Sequence, residues 1–520
     1  MDVKTIASLN PSLNTQPSKI PVFDFQKRRA GLLLHPTSLP SGQLDQDVER
    51  LLNLMSNEGF SIWQVLPLCE PQAGLSPYQC SSTFAINPLL LTAIAPVDEM
   101  DESFIQFCNN QQFWLDDYAL FKVLRKKFDH KAWYDWPEQY KHREPEAIEQ
   151  AKFHQASEIT ILKWQQFQLY QRWQDIRLKA SAKGIFLFGD VPIFVGHDSA
   201  DVWAHQEWFL LEADGQPNVV TGVPPDYFSE TGQRWGNPHY NWETMQGDDF
   251  VWWKARIHYH LEQFDILRID HFRGMEAAWM IDAACETAVD GHWQEMPGDA
   301  LLSSLQKLMV AGEVDNNRDA DENHEKEDHK KQNSRLQLPF VAEDLGVITD
   351  KVIALRKKYH LPGMVILQFG FDGFDDNPHK LKNITEDKVA YTGTHDNDST
   401  KGWFNSLDDH VKNEVLAALG VLDDNHHDCC EIENVDDIVV DKMIALAMSC
   451  QASICMISMQ DFLHLGSESR MNVPGTTEGN WLWQFKWSQV EYQYRHQNDF
   501  LSLLAKNNRL VVDQKSKLID

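Results

Sequence analysis

Short apolar runs recur along the chain at residues 31–35, 61–67, 184–191, 264–270, 338–342, 364–369, 389–393 and 452–457. Brief and without polar alternation, they have the pattern of strands covered on both faces in a parallel sheet. Between them, apolar residues fall at helical spacing. Val48, Leu51, Leu52 and Met55 form one stripe that ends at Gly59, a helix stop. Trp114, Tyr118, Phe121 and Leu124 form a second, and Ile159, Leu162, Tyr170, Trp173 and Ile176 a third, both facing a core. Eight strands separated by helical segments predict an α/β fold. The expected architecture is a (β/α)8 TIM barrel with helical and loop insertions between strands and no separate C-terminal β-sandwich.

The same pattern divides the 520 residues. Residues 1–28 read as a polar N-terminal tail, and 29–520 as the barrel. A helical subdomain is inserted at about 90–160. The stretch at about 192–250 lacks periodicity and reads as lid and subsite loops. Residues 313–335, rich in Asp and Glu, read as a disordered acidic loop.

Composition narrows the partners. The net charge of −30, from 47 basic and 77 acidic residues, argues against nucleic acid and anionic membranes but leaves a neutral ligand unaffected. The tail has no apolar signal segment, and no apolar run is long enough to span a bilayer. Eight scattered Cys without metal-ligand spacing suit a reducing compartment, so a cytoplasmic location is expected. Eighteen Trp and 27 Phe mostly build core, yet aromatic faces also suit the flat faces of sugar rings.

Charged residues emerge at the carboxyl ends of the runs. Asp190 follows the third, Arg268 and Asp270 end the fourth, Glu343 follows the fifth, and His395 and Asp396 follow the seventh. In a barrel these ends share one rim, where active sites form. Arg268 and Asp270, two apart, lie on one strand face. Carboxylates gathered on one rim push their pKa values apart, so one acid stays protonated beside an ionised neighbour. Glycoside chemistry needs that combination. A divalent metal is the other use of such a cluster, but Arg268 would compete with it, so neither metal nor cofactor is expected.

This order of residues resembles the α-amylase clan of retaining glycosidases and transglycosidases. Longer strings are closer to its amylomaltase, or disproportionating enzyme, family of 4-α-glucanotransferases. They are His35-Pro36-Thr37-Ser38-Leu39-Pro40, Trp63-Gln64-Val65-Leu66-Pro67, Ser76-Pro77-Tyr78-Gln79 and Gly222-Val223-Pro224-Pro225-Asp226-Tyr227-Phe228. Further on come 268–274, Ala342-Glu343-Asp344-Leu345-Gly346, Gly393-Thr394-His395-Asp396-Asn397-Asp398 and Met471-Asn472-Val473-Pro474-Gly475-Thr476. The resemblance implies that Asp270 is the nucleophile, Glu343 the general acid and then base, and Asp396 the third carboxylate. It places Arg268, His395, Asp190, Tyr78, Gln233, Trp235, Asn237, His271 and Asn472 around the substrate. Gln233, Trp235 and Asn237 match a loop over the cleft, and Tyr78 an aromatic near the donor side. Residues 72–75 depart from the family's glycine- and tyrosine-containing turn.

The leading expectation is transfer of α-1,4-glucan segments between malto-oligosaccharides by double displacement. An α-1,4-glucan hydrolase of the same clan is the alternative, with water as acceptor. A glucan-binding scaffold without catalysis would lack an acid, and all three are present.

Overall fold

The computed structural model describes residues 23–225, 229–316, 337–422, 432–476, 478–496 and 500–510. Twelve strands lie among them, numbered in chain order. Eight are parallel neighbours in one sheet: β1 (Arg29–Leu33), β2 (Ile62–Gln64), β3 (Phe186–Pro192), β6 (Ile266–Asp270), β9 (Phe340–Ala342), β10 (Gly363–Ile366), β11 (Lys388–Tyr391) and β12 (Ile454–Ser458). Their order is β10-β11-β12-β1-β2-β3-β6-β9. The two ends meet where the Ala342 N–H donates to the Pro362 carbonyl at 2.8 Å and the Met364 N–H to Asp344 Oδ1 at 2.7 Å. The result is the expected (β/α)8 barrel, and all eight apolar runs became its strands.

The interior changes character along the strands. Ile62, Phe188, Ile266, Val341, Met364, Val389 and Ile454 fill it with apolar side chains. Gly31 leaves room for a large neighbour, since a Cβ there would lie 2.4 Å from the Met456 sulfur. Phe23 and Phe25, 3% and 5% exposed, join the same cluster, and the Arg29 guanidinium lies 4.5 Å over the Phe186 ring. These two Phe fall within the stretch read as polar tail. Toward the carboxyl ends the inward positions turn polar: Gln64 accepts the Tyr391 hydroxyl at 2.9 Å, and Asp190 meets Arg268.

Helices shield the outside. The first, Gln46–Glu58, begins at Asp45, whose side chain accepts the Asp47 N–H, and ends at Gly59 with φ 81°. The insertion before β3 contains Glu102–Asn110, Gln112–Lys127, Pro145–His154 and the long Ala156–Ala182. Trp114, Tyr118, Phe121 and Leu124 are all buried there, as are Trp173 and Ile176.

The excursion after β3 is more ordered than its sequence suggests. β4 (Val219–Val223), β5 (Gln233–Pro238), β7 (Ala277–Asp282) and β8 (Gly291–Glu295) form a separate antiparallel sheet in the order β5-β4-β7-β8. The region expected to be irregular loop therefore holds a hairpin, with a bulge between Val220 and Gly222. The helix Gly298–Asn316 enters the stretch read as an acidic loop. Residues 317–335 of that loop, like residues 1–22 of the tail, lie outside the described residues.

Candidate active site

The site starts from strand register. Asp190 and Arg268 are paired positions on β3 and β6, so their side chains enter the barrel mouth side by side. Arg268 Nη1 lies 2.9 and 2.7 Å from the two Asp190 oxygens, and its Nη2 lies 2.8 Å from Asp270 Oδ1, two residues along the same face. The Tyr78 hydroxyl donates to Asp190 Oδ2 at 2.7 Å. One guanidinium thus holds two carboxylates in fixed positions. The Asp190 side chain is 0% exposed and that of Asp270 26%, so only Asp270 faces the open cleft. Burial pushes the Asp190 carboxyl up, and the Arg268 fork opposes that shift.

Glu343 arrives from the end of β9. The Leu345 N–H donates to its Oε1 at 2.9 Å and the His271 N–H to its Oε2 at 2.7 Å. Burial nevertheless raises the carboxyl to about 7, with Arg268 opposing and Asp270 adding to the rise. His271, which presents that N–H, sits at φ 50°, in the left-handed region. Burial lowers its imidazole to about 4, so it is neutral near pH 7. Asp270 and Glu343 therefore occupy unlike surroundings on one rim, an ion-paired carboxylate beside a buried acid that holds its proton to neutral pH.

The loop after β11 brings His395 and Asp396 to the opposite wall. The His395 ring stacks on Tyr78 at 5.2 Å and 14°, and burial lowers its pKa. Asp396 Oδ1 lies 3.5 Å from His395 Nε2 and accepts Asn472 Nδ2 at 2.6 Å. Arg470 donates to the Asp396 carbonyl at 2.7 Å and to the Asn472 carbonyl at 2.9 Å, locking the two loops together. With its side chain 46% exposed, Asp396 is the most open of these acids.

The hairpin supplies the remaining wall. The Trp235 ring meets His271 edge-on at 4.8 Å, and its indole N–H donates to Gln233 Oε1 at 3.2 Å. Asn237 is 4% exposed, and its carboxamide bonds to Gln79, Thr221 and the Val195 carbonyl, so it anchors the hairpin from behind. Two further residues stand at the site outside the motifs: Trp481, whose ring lies 6.1 Å from Tyr78, and Asp461, buried under the β11 loop. Asp461 had a signal, an acid just after a strand; Trp481 had only its place in Asn480-Trp481-Leu482-Trp483. Among the described residues, no group of three or more His, Cys, Asp or Glu is placed to hold a metal ion, and no helix is long and apolar enough to cross a membrane.

Known proteins share this arrangement of chain. The sequence matches the family described as 4-alpha-glucanotransferase over residues 34–96 and 92–490. The 4-alpha-glucanotransferase of Thermus thermophilus is 38% identical over 509 residues, covering 88% of this chain and 94% of that protein. That of a Synechocystis strain is 36% identical over 528 residues, covering 92% and 96%. The amylomaltase from Streptococcus agalactiae, solved in complex with acarbose, superposes with a TM-score of 0.78 at 28% identity, covering 94% of this chain and 99% of that one. By sequence along nearly its whole length and by fold, the chain belongs to the 4-alpha-glucanotransferase family.

Proposed function

We propose that the cleft cuts an α-1,4 link in a malto-oligosaccharide with retention and passes the glucan to the 4-hydroxyl of another chain. Asp270 attacks the anomeric carbon as Glu343 protonates the departing oxygen, leaving a glucosyl ester on Asp270 and a free glucose or short maltodextrin. Glu343, now ionised, takes the proton of the incoming hydroxyl, and the ester bond breaks as the new glycosidic bond forms. Asp396, with His395 and Asn472, grips sugar hydroxyls. Tyr78, Asp190 and Arg268 set the floor beneath the reacting ring. The observation that carries this reading is the contrast between Glu343, raised to about 7, and its ion-paired neighbour Asp270.

Transfer must outrun hydrolysis. Water at roughly 55 M against an acceptor at about 10 mM has an advantage of several thousandfold, which takes about 5 kcal/mol to offset. Acceptor contacts and the β4–β5 hairpin, whose Trp235 reaches the Asp270 side through His271, are the candidates for supplying it. The test is incubation with maltotriose alone. A ladder of longer maltodextrins with glucose accumulating and few new reducing ends supports transfer. Glucose and maltose alone, with reducing ends rising in step, would make the protein a hydrolase.

A further inference from the structure

The rim carries an aromatic side chain that the reaction above does not use. Trp481 is half-buried, its ring 5.8 Å from His395 and 6.1 Å from Tyr78 and tilted 37° and 49° to them. His395 in turn lies against Asp396. Trp481 packs in neither of the two large apolar clusters, although Trp483, two residues on, packs against the main core.

Its backbone is strained. At φ 66° Trp481 occupies the left-handed region, which a bulky residue rarely enters and keeps only where its surroundings impose it. Those surroundings are visible. Asn480, 8% exposed, accepts the Val473 N–H at 2.9 Å and donates to the Thr476 carbonyl at 3.0 Å. The Trp481 N–H donates to the Met471 carbonyl at 2.8 Å, and the Phe485 N–H to the Ser38 carbonyl at 3.1 Å. The segment is fastened on both sides of a residue whose ring is left at the cleft instead of in the core.

We propose that Trp481 is a sugar-binding platform that takes the apolar face of a glucosyl ring on the His395 and Asp396 side of the cleft. Asn480 is the positioning residue that holds its left-handed backbone. This rests on the glucan-transfer reading. The platform sets affinity and leaves the chemistry to the carboxylates.

The experiment follows maltotriose disproportionation by wild type, Trp481→Phe, Trp481→Ala, Trp481→Gly and Asn480→Ala, with kcat, KM and thermal midpoint for each. Trp481→Phe keeps KM within about twofold. Trp481→Ala raises KM about tenfold, while kcat falls less than about threefold. Trp481→Gly relieves the positive φ and unfolds at a higher temperature than Trp481→Ala, yet shows the same rise in KM. Asn480→Ala raises KM with the ring still present. Wild-type KM in both Trp481→Ala and Trp481→Gly overturns the proposal, as does a KM that recovers in Trp481→Gly along with stability. If the wild type makes no longer maltodextrins, the transfer reading is the one that fails. Titration of maltotriose into wild type and Trp481→Ala then decides the platform by itself, with equal affinities overturning it.

Discussion

Asp190 on β3 and Arg268 on β6 stand at one register level of adjacent strands, and the guanidinium reaches both carboxylate oxygens, at 2.9 and 2.7 Å. Their side chains are 0% and 7% exposed, so neither charge can turn to water if the other is removed. Asp190→Ala is expected to lower the unfolding free energy by about 3–5 kcal/mol, measured by urea titration. Asp190→Leu combined with Arg268→Met is expected to regain much of that stability while remaining inactive, because Asp270 then loses its cation too. Arg268 keeps Asp270 at 2.8 Å in Asp190→Ala, so a double variant as unstable as the single one would show that the half-paired guanidinium was not the cause.

The raised Glu343 acid fixes the pH dependence. Burial holds its pKa up to about 7, so the group is protonated below that pH and ionised above it. The bond-breaking step needs the proton, so kcat/KM for maltotriose is expected to fall as pH rises through about 7. Glu343→Gln keeps only residual activity and loses that limb. An alkaline limb in the ordinary carboxyl range, about 4 to 5, would remove Glu343 from the acid's place.

A covalent ester on Asp270 is directly observable. With an α-maltotriosyl fluoride donor, fluoride leaves without help from an acid, so Glu343→Gln still forms the ester but lacks the base that activates the acceptor. Intact-protein mass spectrometry is expected to show one added maltotriosyl group, mapping to the peptide that holds Asp270. Asp270→Asn with the same donor gains nothing. A label on any other carboxylate would reassign the nucleophile.

The barrel and the acids on its rim were legible because strands buried on both faces leave unbroken apolar runs, and each run ends where its charged residue begins. The β5-β4-β7-β8 sheet was not. Its strands β5 and β8 are largely open to solvent and leave no unbroken apolar run, Gly222 sits within β4, Pro238 ends β5, and the bulge between Val220 and Gly222 breaks the alternation there. Phe23 and Phe25 close a brief apolar stretch, Ile20-Pro21-Val22-Phe23-Asp24-Phe25, that carries no strand or helix period, and only the folded barrel supplies the apolar interior that takes the two rings. Motif membership points to Asn237 beside the substrate, and the folded chain adds what the motif does not show, that it is 4% exposed and bonded to Gln79, Thr221 and the Val195 carbonyl behind the hairpin. The left-handed Trp481 leaves no periodic trace at all, since a single φ value is set by the hydrogen bonds around it.

Asp461 offers a test of how the β11 loop keeps His395 and Asp396 in place. It is 1% exposed, and its oxygens accept the Thr392 hydroxyl at 2.5 Å, the Thr400 N–H at 2.6 Å and the Thr400 hydroxyl at 3.0 Å. Thr392 opens the loop and Thr400 closes it, so one buried carboxylate fastens both ends. Removing it leaves three donors without an acceptor. Asp461→Ala is expected to lose about 3 kcal/mol of stability, and kcat is expected to fall about tenfold to a hundredfold as the loop shifts. Asp461→Asn can turn its amide oxygen to the Thr400 N–H and its NH2 to the two hydroxyl oxygens, so it should keep most of the activity. Urea titration and maltotriose kinetics on both variants check this. A stability loss in Asp461→Ala with kcat unchanged would mean that the network only holds the barrel together, and that Asp396 is placed by Asn472 and Arg470 alone.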